Sequence, residues 1–214
     1  MASAPLKKLE MLLRGAAPRP LRQLYRLGRG GFGTPMLSRR LPDELVTGCR
    51  LCADRVAMLE LLPKQGVVAE LGTYRGAFAR KILKICKPRA LHIVDIDFSR
   101  FDRRVGEAAG VHLHQGLTRE VIAGFPDATF DWVYVDAGHD YASCLGDARA
   151  SAPKVKPGGY LAFNDFAHVD PQFGRYGVHR AVVDFCLEAR WPLAFFALDG
   201  AGLYDLALRR PEGD

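Results

Sequence analysis

Val67-Val68-Ala69-Glu70-Leu71-Gly72-Thr73-Tyr74-Arg75-Gly76 is a short apolar strand that runs into an acid and then into a glycine turn opening a helix. Val67, Val68, Ala69 and Leu71 form the near-continuous apolar run of a strand buried on both faces of a parallel sheet. Gly72 and Gly76 carry no side chain where the backbone must turn sharply and come close to a ligand. Glu70 stands at the strand end, where open α/β sheets bind their ligands. A carboxylate there repels phosphate but accepts hydrogen bonds from an ammonium group or hydroxyls. The expected ligand therefore presents amine or ribose, not pyrophosphate, to this turn. The dinucleotide fingerprint G-x-G-x-x-G requires glycine where Tyr74 stands, which disfavours a nicotinamide-dependent oxidoreductase.

A second apolar strand, Leu91-His92-Ile93-Val94-Asp95, ends in an acid nineteen residues after Gly76. A carboxylate about 20 residues past the glycine turn is placed to bind ribose hydroxyls. Asp95 takes that role, with Asp97 as understudy.

The 214 residues are enough for one α/β domain with a short extension. Residues 1–40 carry nine Lys and Arg against the single acid Glu10, a net +8 that leaves −2 for residues 41–214. The domain over 41–214 is accordingly not expected to bind nucleic acid. Leu6, Leu9 and Leu13 fall at helical spacing, so the tail reads as a solvated extension, a basic surface for acidic membranes or partners, or a transit segment. The extension places the protein in the cytoplasm; the transit reading places it in mitochondria. Five cysteines, an odd count without a secretory signal, suggest reduced thiols in an intracellular compartment. Cys49 and Cys52 share the spacing of one helix face with Leu45, Val56 and Leu59, and read as core residues rather than metal ligands.

Pro42-Asp43-Glu44 predicts a helix start, running to about position 62. Strands are expected at 67–71, 91–96, 111–115, 130–136, 160–163, 193–198 and 203–208. Helices are expected over 75–86, 119–123, 141–155 and 178–190. The alternation predicts a Rossmann-like, doubly wound, mainly parallel seven-stranded sheet with helices on both faces. Asp199-Gly200-Ala201-Gly202 turns the last two strands into a hairpin that contributes an antiparallel strand.

The strand at 130–136 delivers Asp136 to its end, with His139 one turn later; the next delivers Asn164 and Asp165 to the same edge. Two carboxylates and an amide oxygen form an all-oxygen set suited to Mg²⁺ or Ca²⁺.

The acid-x-Gly-x-x-x-Gly turn resembles motif I of the class I S-adenosylmethionine-dependent methyltransferases. Together with FDWVYVDAGHDY (130–141), KPGGYLAFNDF (156–166) and GVHRAVVDF (177–185), it resembles one subfamily over residues 43–210. That subfamily includes cephalosporin-hydroxylase-like, macrolide and aminocoumarin sugar O-methyltransferases, and is more distantly similar to catechol O-methyltransferases. The resemblance implies an enzyme in which Glu70, Gly72, Thr73, Gly76, Asp95 and Asp136 line the S-adenosylmethionine pocket. It further implies a divalent cation, such as Mg²⁺, at Asp136, Asn164 and Asp165, with His139 and Asp136 as catalytic groups. Two positions depart from the pattern. Leu117 stands where relatives place an acid for the adenine amine, leaving Thr118 and backbone to serve; Asn164 replaces an acid found in some relatives.

Methyl transfer to oxygen is an in-line displacement whose nucleophile must shed a proton. A divalent cation lowering the acceptor pKa and His139 as general base are the two routes. The acceptor expected is a small hydroxylated molecule, sugar or phenol. The loop 166–177, with His168, Asp170, Arg175 and Tyr176, is an acceptor lid in this reading. A non-catalytic scaffold keeping the fold is the competing class. Oligomeric state is open, and a homo-oligomer is compatible with the sequence.

Overall fold

Period-two alternation along the central strands sorts the core onto the two faces of one sheet. The structure is a computed structural model and describes residues 39–170, 174–200 and 202–213, with backbone only at 169, 170, 174 and 175. The basic tail and its Leu6, Leu9 and Leu13 pattern lie outside the described residues. In chain order the elements are a 3₁₀ turn (Asp43–Leu45), β1 (Arg50–Cys52), α1 (Arg55–Leu61), β2 (Val67–Leu71) and α2 (Ala77–Cys86). Next come β3 (Ala90–Asp95), α3 (Arg103–Gly106), β4 (Val111–Gln115), α4 (Thr118–Ala123), β5 (Phe130–Val135) and α5 (Tyr141–Ser151). After a 3₁₀ turn (Ala152–Lys154) follow β6 (Val155–Phe163), β7 (Val169–Asp170), β8 (Gly174–Arg175), α6 (Val178–Ala189), β9 (Leu193–Ala197) and β10 (Asp205–Arg209).

The main sheet has eight strands in the order β1-β9-β10-β6-β5-β2-β3-β4. β10 runs antiparallel to both β6 and β9, and every other pair is parallel. The doubly wound sheet with a terminal antiparallel hairpin strand is therefore present, with one strand more than expected. That strand is β1. The helix expected across 42–62 is interrupted: residues 50–52 pair with β9, and the Asp54 carboxylate caps α1 by accepting from the Ala57 N–H at 2.8 Å. A capping Asp fixes a helix start as firmly as a proline does. Cys49 and Cys52 thus flank a strand instead of sharing a helix face; all five cysteines are free thiols, and all but Cys49 are buried. Two smaller shifts follow from local chemistry. α2 begins at Ala77 because Gly76 is left-handed at φ 75°, and β6 starts at Val155, five residues before the Pro157-Gly158-Gly159 turn would allow a regular strand.

On one face of the sheet, Ala69, Leu71, Val133, Val135, Leu161 and Phe163 pack against α5 and α6. On the other, Val68, Leu91, Ile93, Trp132 and Tyr134 pack against α1 and α2. Full burial of each large apolar side chain contributes about 1.5–3 kcal/mol. β2, β3 and β4 progress one way along the sheet, and β5 and β6 the other. The order reverses between β2 and β5, and this switch point opens a crevice at the strands' carboxyl ends.

Candidate active site

Glu70 lies on β2 between β3 and β5, opposite Ile93 and Tyr134. It is fully buried, and neither carboxylate oxygen has an aligned hydrogen-bond partner among the described residues. Burial pushes its pKa up to about 8; the nearby Thr73 hydroxyl and Ala79 N–H oppose the shift, and Asp136 and Asp95 add to it. A buried acid without aligned donors is costly unless a ligand supplies them.

The two glycines that follow serve the protein's own packing. A Cβ on Gly72, at φ 84°, would stand 2.2 Å from the Asp136 carbonyl oxygen, so this glycine lets β2 and β5 converge at the crevice. A Cβ on Gly76 would stand 2.7 Å from the Phe101 ring. Close approach is the reason for both glycines, as expected, but what approaches is β5 and an aromatic ring. Tyr74 adopts φ 51°, the left-handed conformation glycine ordinarily takes, and its ring is 54% exposed.

Asp95 holds this turn in place. Its Oδ2 accepts from the Thr73 N–H at 2.8 Å and the Tyr74 N–H at 3.0 Å, while Oδ1 accepts from the Asp97 N–H at 3.1 Å. Each carboxylate oxygen has two acceptor directions, so Oδ1 retains one for a hydroxyl. Asp97 in turn accepts from the Ser99 N–H and hydroxyl. The Thr118 hydroxyl is directed away from an adenine role: it donates to Asp147 of α5 at 2.6 Å. Leu117, the residue before it, is buried.

At the ends of β5 and β6 the structure brings together His139, Asp136 and Asp165. His139 Nε2 lies 3.3 Å from Asp136 Oδ1 and 3.6 Å from Asp165 Oδ2. Its ring stacks on Tyr176 at 4.6 Å, and its carbonyl accepts from the Gly177 N–H at 2.8 Å. Asp165 is held at φ 56° and its pKa is raised, chiefly by burial, with His139 opposing. Strained backbone at a strand end next to polar groups is a mark of functional sites.

Asn164 is turned away from this trio. Its Nδ2 lies 3.3 Å from both the Tyr134 hydroxyl and Asp205 Oδ1, in a buried network that also contains Arg55, whose Nη2 is 3.3 Å from Asp205. Tyr134 donates its hydroxyl to the other Asp205 oxygen. Burial raises the Asp205 pKa to about 6 even with Arg55 and Tyr134 opposing. Among the described residues no group of three or more His, Cys, Asp or Glu side chains is arranged to hold a metal ion. The expected oxygen set is thus reduced to two carboxylates with an imidazole between them, an arrangement that does not fit a divalent cation.

Three residues of this edge escaped the sequence reading: Arg55, Asp205 and Tyr176 as the ring beneath His139. Asp205 carried a faint signal, an acid opening an apolar strand; Arg55 lay inside an expected helix and carried none. Within the loop 166–177, His168 packs edge-on against Tyr176 at 4.7 Å. β7 and β8 form a two-stranded ladder there. The side chains of Asp170 and Arg175 lie outside the described residues.

Residues 69–166 match the family model of a methyltransferase domain, a segment that holds Glu70, Asp95, Asp136, His139 and Asp165. No curated protein matches the chain. Among solved structures the fold is similar to an O-methyltransferase family protein from Burkholderia thailandensis, with TM-score 0.58 and 18% identity over 75% of this chain and 56% of that one. The chain thus spans little more than half the length of that protein. It is similar as well to the N-methyltransferase NodS from Bradyrhizobium japonicum WM9 in complex with S-adenosylhomocysteine. There the TM-score is 0.55 and the identity 21%, over 74% of this chain and 86% of that one. The MycE methyltransferase of mycinamycin biosynthesis, in complex with Mg, S-adenosylhomocysteine and mycinamycin VI, aligns with TM-score 0.50 and 17% identity over 70% of this chain and 46% of that one. Residues 69–166 are thus similar to a methyltransferase domain and lie on a Rossmann-like fold shared with these structures. S-adenosylmethionine would fit this crevice: Glu70 has unpartnered carboxylate oxygens that an ammonium group could meet, and Asp95 keeps a lone pair for a hydroxyl.

Proposed function

We propose that the protein methylates a hydroxyl of a small hydroxylated acceptor, a sugar or a phenol, with His139 as general base. The observation that carries this reading is the imidazole held between Asp136 and Asp165 at the crevice between β2 and β5. When bound, S-adenosylmethionine supplies an electrophilic methyl group on a sulfonium. Glu70 would bind its ammonium group and Asp95 its ribose. His139 takes the proton from the acceptor hydroxyl as oxygen becomes nucleophilic. The two flanking carboxylates favour the imidazolium that results. Tyr176 fixes the ring plane.

Turnover of a panel of sugar and phenol acceptors, with and without chelator, tests this reading. Activity that survives chelation and falls with His139→Ala supports the base; activity abolished by chelation and restored by Mg²⁺ would overturn it. Absence of S-adenosylhomocysteine binding at millimolar concentration would overturn it too.

A further inference from the structure

Among the described residues, surface cations are paired almost everywhere outside one stretch of the chain. Outside residues 75–104, every Lys and Arg whose side chain is described has a carboxylate or carbonyl partner, Arg50 excepted. Within that stretch nine cations are exposed. Arg80 and Arg104 share the Asp102 carboxylate at 2.9 and 3.0 Å. Arg75 and Arg100 flank the exposed Tyr74 ring at 5.2 and 5.9 Å. Lys81, Lys84, Lys87, Arg89 and Arg103 have no acidic partner among the described residues. The net −2 of residues 41–214 therefore conceals a division: residues 74–107 carry +5 and the rest −7.

Three of these cations line a groove between α2 and α3 with a volume of about 510 Å³. Arg80, Lys84 and Arg104 form its rim with Asp102, and Leu83 and Val105 give it an apolar floor. Three cations against one acid, around an apolar floor, complement an anionic amphiphile: phosphate at the rim, hydrocarbon below.

We infer that the α2–α3 face docks on an anionic lipid surface. Lipid is favoured over nucleic acid by two observations. The apolar floor offers nothing to a phosphodiester backbone, whereas it receives the upper part of a lipid. The tail also brings net +8 with Leu6, Leu9 and Leu13 at helical spacing, the composition of an interfacial segment. Two weak membrane signals on one chain combine into stable attachment. Tyr74, an exposed aromatic between two arginines, suits the headgroup layer. Because Tyr74 and Arg75 belong both to this face and to the cofactor turn, docking would set the crevice at the membrane edge.

The test is flotation of the full chain with phosphatidylcholine vesicles, with and without about 30% phosphatidylserine, a fraction that gives a strongly negative surface. Binding is expected only to the anionic vesicles and is expected to weaken with salt. The K81Q/K84Q/R89Q/R103Q variant should partition at least about tenfold more weakly, given the usual gain per basic residue at such a surface. R50Q/R149Q/R190Q/R209Q, an equal loss of charge outside both the tail and this face, should change partitioning by no more than about twofold. Circular dichroism of each variant reports whether the fold is intact, and a variant that unfolds is replaced by the pairs K81Q/K84Q and R89Q/R103Q. The inference is overturned if the parent ignores anionic vesicles, or if the quadruple variant binds as the parent does. Tighter, patch-dependent binding to a duplex oligonucleotide than to vesicles would overturn it too, and would reassign the face to nucleic acid.

Discussion

Glu70 makes the crevice expensive to fold, and the cost is measurable. Its carboxyl titrates near pH 8 in the folded chain, against an ordinary value of 4.5, because burial disfavours the anion. The folded state therefore keeps a proton that the unfolded chain has already released, and stability falls as pH rises from the unfolded pKa to the folded one. Below the window both states are protonated; above it both are ionised and the full penalty is present. Each pH unit inside it costs about 1.4 kcal/mol, so between about pH 5 and about pH 7.5 the loss from this one residue is about 3 kcal/mol. Glu70→Gln cannot titrate. The stability difference between variant and wild type, from urea denaturation at several pH values, should shift in favour of the variant by that amount across the window. Taking the difference cancels the titrations that the two proteins share. Parallel stability-versus-pH curves would refute the assignment of a neutral, buried Glu70. The same substitution should weaken S-adenosylhomocysteine at least tenfold, about 1.4 kcal/mol, since an amide cannot neutralise an ammonium group. A residue that destabilises the empty fold and strengthens ligand binding is behaving as a binding group.

Further outcomes are expected elsewhere. His139→Ala should lower turnover by about 10²–10⁴-fold while leaving cofactor affinity nearly unchanged; an equal loss in both would assign His139 to binding instead. Gly72→Ala should cost more than about 3 kcal/mol by urea denaturation, because the added methyl meets backbone that cannot yield, whereas Gly76→Ala meets a ring edge and should cost less. His92 titrates near 4, held down first by burial and then by His112 and His114, so its neutral form is the one that fits the fold. Stability should fall as pH drops from about 6.5 towards 4, and His92→Phe should flatten that slope. Tyr134→Phe, which leaves Asp205 and Asn164 without the hydroxyl, should destabilise by about 1–3 kcal/mol, read from the thermal midpoint.

The parts of the fold legible in the sequence are those where one strand is buried on both faces. β2, β3 and β5 announce themselves as apolar runs ending in Glu70, Asp95 and Asp136, and those ends sit at the switch point. β1 was hidden because three residues at a sheet edge leave no period of their own, and Cys49, Cys52, Val56 and Leu59 imitate a helix face. Thr118 illustrates a different loss: its position after β4 was readable, its commitment to Asp147, 29 residues away, was not. Arg55 and Asp205 meet across 150 positions, and no local pattern encodes such a pair. Asn164 was found at the right strand end but facing the wrong neighbours, since spacing gives the place of a side chain and not its direction.

β10 carries a consequence for how the chain acquires its site. Asp205 anchors Tyr134, Asn164 and Arg55, and β10 separates β6 from β9, to which β1 is joined. During synthesis the crevice residues from Glu70 to Asp165 leave the ribosome before β10, so the floor that aligns them waits for a strand made after them. Until then Arg55 and Tyr134 have no carboxylate to meet, and the edge of β6 is open to pairing with other chains. β10 thus works as a latch. Substitutions that slow its docking should show themselves as lowered yield of soluble protein before any loss of activity per folded molecule.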